Sequence, residues 1–309
     1  MARATLYQAS YQDTLTHAAE AGGADLVVTS PPYCDARTYN NEVSWTLEDY
    51  AKLGDAVFAA LKPGGHCLFN VDAPVREWRP GVGSERGFHP WKIMIDWAER
   101  VGFRVVDRLA FIRLGNPGAY AGRFRNDWEP LFWFQRPGGD GFFDKRPLAT
   151  PSKMTGSRIA KSRKADGSFF TRKASGWAVE NQLRHRGTAW DYGAVGNGLS
   201  GARDIEEQGH PARFPFDLAS DIVQCFSPPD GLVCDPFLGG GTSLIAALHH
   251  DRNFIGGDLY ARRDGKLWVT LAAEVAYERY GGGDLSMFGL KDKHELSVVT
   301  QNGERMVMG

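Results

Sequence analysis

Short apolar runs alternate with helix-like segments along most of this 309-residue chain, and this alternation limits the folds that the chain can adopt. Residues 24–30 (ADLVVTS) and 66–71 (HCLFNV) have the length and apolar content of buried strands, and residues 46–61 between them have helical spacing. Strands that alternate with helices form a mostly parallel sheet. Because 42% of the residues are apolar, the chain can bury a full-sized core. We therefore predict an α/β fold.

A basic segment interrupts the alternation. Residues 145–190 contain eleven basic and two acidic residues, although the net charge of the whole chain is only −1. Beyond it, helices are predicted at residues 214–226, 241–251 and 266–282, and strands at 231–237 and 253–260. We infer one α/β domain whose first half is residues 1–136 and whose second half is residues 210–283. A basic insertion at residues 137–209 separates the halves, and a tail follows at residues 284–309.

The charge of the insertion indicates either a polyanionic partner or a solvated loop. Phe169, Phe170, Trp177 and Trp190 are interleaved with its basic residues, which favours nucleic acid. Trp190 could equally anchor the insertion to the sheet. The candidate DNA contacts are Lys153, Arg158, Lys161, Arg163, Lys164, Arg172, Lys173, Arg184, Arg186 and Trp190.

A glycine-rich turn follows the predicted strand at residues 231–237. Gly239, Gly240 and Gly241 allow close backbone approach, and Thr242 could cap the next helix. The turn lacks the lysine of a phosphate-binding loop, which argues against nucleotide hydrolysis. Asp258 ends the following strand, where a carboxylate could bind ribose hydroxyls. The pattern predicts a site for a nucleotide-like ligand.

Ser30, Pro31, Pro32 and Tyr33 follow the strand ADLVVT. The two prolines fix the backbone and remove its donors, while the carbonyl groups remain acceptors. With the Ser30 hydroxyl and the Tyr33 ring, this edge suits a planar ligand that carries an amino group. A second Ser-Pro-Pro at Ser227 follows a predicted helix instead, so the preceding strand and the following aromatic carry the prediction.

The remaining sequence features argue against other classes of protein. No run approaches the roughly 18 apolar residues of a membrane span, and the N-terminus does not resemble a secretory signal, so we expect a cytoplasmic protein. The four cysteines form no CxxC pair and are expected to be reduced and mostly buried. The spacing of His185, His210, His249 and His250 offers no convergent metal ligands, so we expect no metal.

Taken together, these motifs resemble the amino-group DNA methyltransferases, which methylate cytosine N4 or adenine N6 with S-adenosylmethionine (SAM). TSPPY (29–33) resembles their catalytic motif, and VCDPFLGGGTS (233–243) their methionine-binding loop. FIGGD (254–258) resembles their ribose-binding strand, and HPARFPFDL (210–218) is similar to the segment that lines the cofactor pocket. The catalytic motif precedes the cofactor loop, which is similar to the permuted β arrangement with its target-recognition region between the halves. Protein-glutamine and RNA-guanine methyltransferases rank lower, since their motif order differs.

The resemblance implies a Rossmann-like fold with a mixed, mostly parallel seven-stranded sheet and an inserted target-recognition module. It also implies double-stranded DNA as the partner. The sequence leaves the oligomeric state of the protein open between a monomer and a homodimer. Ser30, Pro31, Pro32 and Tyr33 are then catalytic, and the SAM-binding residues are His210, Phe214, Pro215, Asp235, Pro236, Phe237, Gly239, Gly241, Thr242, Ser243 and Asp258.

Three residues depart from the pattern of the family. Gly240 replaces a serine, Asp258 replaces a glutamate, and Ser10 stands where many relatives have an aspartate, which leaves the role of Ser10 unassigned. Serine at position 30 resembles cytosine-N4 enzymes more often than adenine-N6 enzymes. We therefore favour cytosine, with adenine as the alternative and a catalytically inert DNA-binding relative ranked below both.

Overall fold

The strands and helices alternate as the sequence predicts. The computed structural model describes residues 2–33, 45–73, 75–79, 83–114, 124–152, 159–173, 181–194, 215–259, 269–270, 272–274, 276, 295–300 and 303–308. Within these residues the strands are β1 (Arg3–Tyr7), β2 (Ala24–Thr29), β3 (Leu61–Asn70), β4 (Val75–Arg79), β5 (Gly83–Arg86), β6 (Arg104–Leu114), β7 (Trp128–Gln135), β8 (Thr150–Pro151), β9 (Ile159–Arg163), β10 (Phe169–Lys173), β11 (Leu183–Arg184), β12 (Ala189–Ala194), β13 (Leu232–Asp235), β14 (Asn253–Gly257), β15 (Glu295–Val299) and β16 (Arg305–Met308).

The helices pack on both faces of the sheet. They are α1 (Tyr11–Glu20), α2 (Leu47–Ala60), α3 (His89–Asp96), which continues into a π-helical turn (Trp97–Val101), a 3-10 turn (Arg146–Leu148), α4 (Phe216–Phe226) and α5 (Thr242–His249). Residues 269–270, 272–274 and 276 are also helical, within the helix predicted at residues 266–282.

The central sheet has the order β12-β6-β7-β3-β2-β13-β14-β1-β15-β16 in the described part of the chain. Within it, β7 is antiparallel to both of its neighbours and β16 is antiparallel to β15, while the other pairs are parallel. The Rossmann-like α/β fold that the resemblance implies is confirmed, and the seven strands from β6 to β1 form its mixed, mostly parallel sheet. β2 and β13, which carry the two predicted motifs, are direct neighbours.

Three strands extend the predicted seven-stranded sheet. β12 comes from the predicted insertion and pairs with β6, so the insertion returns to the sheet before its predicted end at residue 209. β15 and β16 come from the tail, for which the sequence showed no clear element, and β15 pairs with β1. Each added strand pairs the backbone of a strand that would otherwise be exposed at an edge of the sheet.

Two cores cover the two faces of the sheet. Alternate residues of a strand point to opposite faces, so Leu26, Val28 and Leu68 join the core under α4 and α5, while Val27 and Phe69 join the core under α1, α2 and α3. This arrangement leaves the carboxyl ends of the parallel strands, and the loops after them, at one edge of the sheet.

The helix ends follow from local sequence. Thr46 and Asp49 form a reciprocal capping box at the start of α2. Gly102 ends the π-helical turn with a φ of 95°, a conformation that favours glycine. Ser10 accepts a hydrogen bond from the Asp13 amide and caps α1, which gives a structural role to the position that the resemblance left unassigned.

Candidate active site

The carboxyl edge of the sheet brings the two predicted motifs together. Ser30 follows the last residue of β2, the glycine turn follows β13, and Asp258 follows β14. Because these three strands are adjacent and parallel, their ends meet at one edge. The chain separates Ser30 from Asp258 by more than two hundred residues, and the sheet places both at the same edge.

Asp235 connects the two motifs directly. Its Oδ1 accepts hydrogen bonds from Thr29 Oγ1 at 3.0 Å and from the Phe237 amide at 3.0 Å, and its Oδ2 accepts one from Ser243 Oγ at 2.6 Å. Burial raises the pKa of Asp235 to about 6, although the bonds from Ser243, Phe237 and Thr29 oppose that rise. The carboxylate therefore connects the end of β2, the glycine turn and the start of α5.

Hydrogen bonds to the next strand set the conformation of the glycine turn. The Leu238 amide donates to the Gly257 carbonyl at 3.0 Å, and the Gly239 amide donates to Asp258 Oδ2 at 2.9 Å. Gly241 has a φ of 81° and caps α5 through its backbone, so Thr242 is the first helical residue rather than the cap that we expected. A Cβ on Gly241 would lie 2.7 Å from the Ala272 Cβ, which shows how closely the helical residues near 272 pack on the turn.

An aromatic group lies beside the glycine turn. The ring of Phe237 stacks on Tyr11 with centroids 5.5 Å apart and meets Trp45 edge-on at 5.2 Å. Tyr50 lies 5.2 Å from Trp45, and its hydroxyl donates to the Pro32 carbonyl at 2.5 Å. α1 thus contacts the predicted cofactor loop, and α2 contacts the predicted catalytic loop.

The Tyr33 hydroxyl is bound on two sides. It lies 2.8 Å from Glu129 Oε2 and 3.0 Å from Asn70 Oδ1, and Ser30 Oγ is 3.5 Å away. Burial and the negative charge of Glu129 raise the pKa of Tyr33 well above its ordinary value, so the phenol stays neutral at physiological pH. The tyrosine that we predicted to be catalytic therefore has a fixed hydroxyl at one end.

Other charged residues lie near Glu129. Arg113 Nη1 donates to Glu129 Oε1, and Glu129 is only 5% exposed. Asp72, two residues beyond β3, accepts hydrogen bonds from Arg86 at 2.5 Å and from Asn126 Nδ2 at 3.1 Å. Burial raises the pKa of Asp72, and its bonds with Arg86 oppose that rise. The sequence analysis did not identify this group.

The direction of β7 explains why Glu129 was missed. Glu129 is the second residue of β7, which runs antiparallel to β3 and β6, so the amino end of β7 lies at the edge where the parallel strands finish. The available signal was one charged residue at the start of the apolar run EPLFWF. Without the strand direction, that residue could have been placed at either end of the sheet.

The structure describes part of the predicted DNA-binding set. Arg163 and Lys164 are exposed in a hairpin of β9 and β10, where Phe169 is 68% exposed. Arg184 is exposed, and its Nε donates to Thr150 Oγ1 at 3.1 Å. The predictions for Lys153, Arg158, His210 and Phe214 lie outside the described residues, as do the side chains of Lys161, Arg172 and Lys173.

Arg186 and Trp190, which we predicted as DNA contacts, make contacts within the fold. Arg186 Nη1 donates to Asp221 Oδ2 of α4 at 2.6 Å, and its guanidinium lies 4.9 Å from the centre of the Trp190 ring and 4.7 Å from that of Tyr192. Trp190 is 6% exposed and lies within β12 of the sheet. The alternative role of Trp190, as an anchor between the insertion and the sheet, therefore agrees with the structure. Its side chain packs within the protein.

A comparison with known families matches most of this arrangement. The model of the N6/N4 methyltransferases, described as DNA methylase, matches residues 24–263, which include β2, the Ser30 loop, the insertion, the glycine turn and Asp258. The chain belongs to the N6/N4 DNA methylase family. The Type II methyltransferase M.BglII of Bacillus subtilis is 26% identical over 256 residues, which are 81% of this chain but only 63% of that relative.

Solved methyltransferases share the fold of this methylase. PvuII DNA methyltransferase, which is cytosine-N4-specific, aligns with a TM-score of 0.62 and 16% identity over 94% of this chain and 91% of its own. M1.HpyAVI, solved as a complex with SAM, aligns with a TM-score of 0.53 and 17% identity over 88% of this chain and 98% of its own.

The cysteines and the potential metal ligands among the described residues form no second site. Cys67, Cys225 and Cys234 are buried free thiols, as expected, and burial raises the pKa of each, that of Cys225 to about 12, while Cys34 lies outside the described residues. Among the described residues, no three His, Cys, Asp or Glu side chains converge as a metal site. No helix in that part of the chain is long and apolar enough to cross a membrane.

Proposed function

We propose that this methylase transfers a methyl group from SAM to the exocyclic amine of a base that is flipped out of duplex DNA. The base is cytosine, methylated at N4, and adenine N6 is the alternative. The hydrogen bond from Thr29 to Asp235 carries the proposal, because it joins the amine-accepting loop to the loop of the cofactor. Membership of the DNA methylase family supports the same chemistry.

The residues around the glycine turn fit SAM. The turn offers a close backbone approach at Gly239 and Gly241, the half-buried Asp258 supplies a carboxylate for ribose hydroxyls, and Phe237 supplies an aromatic face. When bound, SAM supplies a methyl group that is already activated by its sulfonium sulfur. Asp235 keeps the turn in shape through three protein hydrogen bonds.

Ser30 and the Pro31 carbonyl accept the two hydrogens of the target amine. Two acceptors placed in this way turn the nitrogen lone pair out of conjugation with the base, and the amine is oriented towards the glycine turn. Tyr50 occupies the Pro32 carbonyl with its hydroxyl, so that carbonyl supports the loop. The Tyr33 ring stacks against the flipped base.

The choice of cytosine rests on Ser30. Serine at this position resembles cytosine-N4 enzymes more often, and the PvuII enzyme, which shares the fold, is cytosine-N4-specific. Mass spectrometry of nucleosides from DNA treated with the protein and SAM will yield N4-methylcytosine. A product that contains only N6-methyladenine would contradict the choice of base and leave the reaction type intact.

The hairpin of β9 and β10 supplies phosphate contacts through Arg163 and Lys164, and Lys153, Arg158, Lys161, Arg172, Lys173 and Arg184 complete the proposed set. Arg186 and Trp190 are left out because they bind the fold. Replacing Arg163 by Ala will weaken binding uniformly across DNA sequences and lower the slope of log affinity against log salt by about 1. Lys52→Ala, an exposed ion-pair residue of α2, is the matched control.

Two measurements separate the proposal from an inert DNA-binding relative. Sequencing that detects modified bases, in a host that expresses the protein, will give the base and its sequence together. Calorimetry will detect SAM binding to the purified protein. No heat of binding at saturating SAM, together with unmodified host DNA, would favour the inert relative.

A further inference from the structure

Glu129 bridges two residues whose roles differ. Its Oε2 accepts from the Tyr33 hydroxyl at 2.8 Å, and its Oε1 accepts from Arg113. The carboxylate is 5% exposed, and the Arg113 side chain is 16% exposed. The pair is therefore largely buried and contacts the loop that is proposed to receive the base through Tyr33.

Asn70 closes the other side of the Tyr33 hydroxyl. Its Nδ2 donates to the Pro130 carbonyl at 3.1 Å, which turns Oδ1 towards Tyr33 at 3.0 Å. A phenol has one proton, so the hydroxyl donates to one of the two acceptors at a time, and the charged acceptor forms the stronger bond. Fixing the hydroxyl oxygen at this point fixes the direction in which the ring leaves its Cβ.

We propose that Glu129, held by Arg113, is a positioning residue that orients the Tyr33 ring as the stacking face for the flipped base. The inference rests on the proposed function, since it concerns the residue that stacks on the substrate. Glu129 acts through Tyr33 and contacts neither the amine nor the cofactor.

The cost of a buried ion pair supports this role. Two charges withdrawn from water contribute little net stability, and apolar residues of similar volume often serve the fold as well. A Glu129–Arg113 pair at this edge therefore needs a reason besides packing. The bond to Tyr33 supplies one, because a carboxylate oxygen whose position is fixed by Arg113 presents a fixed acceptor to the phenol.

Two conservative variants disrupt the hydrogen bond between Tyr33 and Glu129, one at each residue. Tyr33→Phe keeps the ring and loses the hydroxyl. Glu129→Asp keeps the charge beside Arg113 but shortens the side chain by about 1.5 Å, so it cannot hold both partners. The single-turnover methylation rate at saturating DNA and SAM will fall about tenfold in each. The rate of the double variant will be no lower than that of the slower single variant, because both changes remove the same interaction.

A double variant with a loss near the product of the two single losses would overturn the proposal, since the residues would then act independently. A second measurement reports the stacking directly through the fluorescence of 2-aminopurine. The duplex carries the recognition sequence identified in the host, with 2-aminopurine in place of the target base. Its emission in the complex will be higher for both single variants than for the wild type, because a loosened ring quenches it less. Equal emission would also overturn the role of Glu129.

Gln135→Leu provides the structural control. Gln135 lies at the other end of the same strand and donates to the carbonyls of Gly64 at 3.0 Å and Asp140 at 2.8 Å. This variant will melt at a lower temperature but keep the wild-type rate and emission. A wild-type chain that methylates no DNA would overturn the proposed function and, with it, the role of Glu129. If the wild type is active but the losses of the two single variants multiply in the double variant, only the role of Glu129 is overturned.

Discussion

Replacing Thr29 by Val tests whether Asp235 joins the two motifs. Thr29 is 2% exposed, and valine has nearly the same shape, so the change removes one hydroxyl donor from Oδ1 of a buried carboxylate. A hydrogen bond to a charged group contributes about 1.5–3 kcal/mol, and one between neutral groups about 0.5–1.5 kcal/mol. We therefore expect the free energy of unfolding to fall by about 2 kcal/mol where Asp235 is ionised.

The loss depends on pH in a defined direction. The folded-state pKa of Asp235 is about 6, above the ordinary value of about 3.9. The stability that this group contributes is therefore fully present below pH of about 4, and it is lost as the pH rises through about 6. Removing the Thr29 donor raises the pKa further. The variant's deficit will be about 2 kcal/mol at pH 8 and about 1 kcal/mol at pH 5, where the bond joins neutral groups.

Thermal unfolding at the two pH values measures this difference. For a chain of this size, each kcal/mol corresponds to about 2 °C in Tm. Thr14→Val is the matched control, since Thr14 is equally buried but donates to a neutral acceptor, the Ser10 carbonyl, at 2.8 Å. Its deficit will be the same at both pH values. A Thr29→Val deficit that is also independent of pH would refute the link between this hydroxyl and the charge of Asp235.

Three further variants test other parts of the site. Tyr33→Ala will lose methylation in a transfer assay while calorimetry still detects SAM binding; unchanged activity would contradict the stacking role. Asp258→Asn keeps an oxygen for the Gly239 amide but loses the charge, so SAM affinity will fall at least about tenfold by calorimetry. Asp251→Asn, at an exposed turn, will not change the affinity. Gly241→Ala will lower the Tm more than Gly303→Ala, because both have a positive φ but only the first adds a Cβ against Ala272; equal losses would mean that the packing is not tight.

Local sequence predicted the helices, the strands and the two motifs well where the spacing of apolar residues agrees with the residues that begin or end an element. Thr46 begins α2, Gly102 ends the helix before β6, and Thr29 and Asp235 end the strands that carry the motifs. The edge strands could not be predicted in the same way. β12 and β15 form by pairing with β6 and β1, which are distant in the chain, and β16 then pairs with β15; no local pattern specifies the two distant pairings.

The site was predicted only as far as its motifs extend. Ser30 and Asp258 were recognised because they follow strands, whereas Glu129 lies within β7, near its start, and reaches the same edge only because that strand runs in the opposite direction. The contacts of Arg186 were missed because its charge indicated an exposed residue, and only the structure places Asp221, Trp190 and Tyr192 around it. Charge predicts a partner of opposite sign, but it does not say whether that partner is a ligand or the protein itself.

The order of the strands has a consequence for a chain that is cut. β2 and β3 come from the first half and β13 and β14 from the second, yet β1, from the first residues, lies beyond β14. A cut between β12 and α4 would therefore produce two fragments that share one continuous sheet, with β2 beside β13 and β14 beside β1. Neither fragment alone could pair all of its strands, so the two should purify together after cleavage. Co-expressed as separate chains, they should assemble into an active protein.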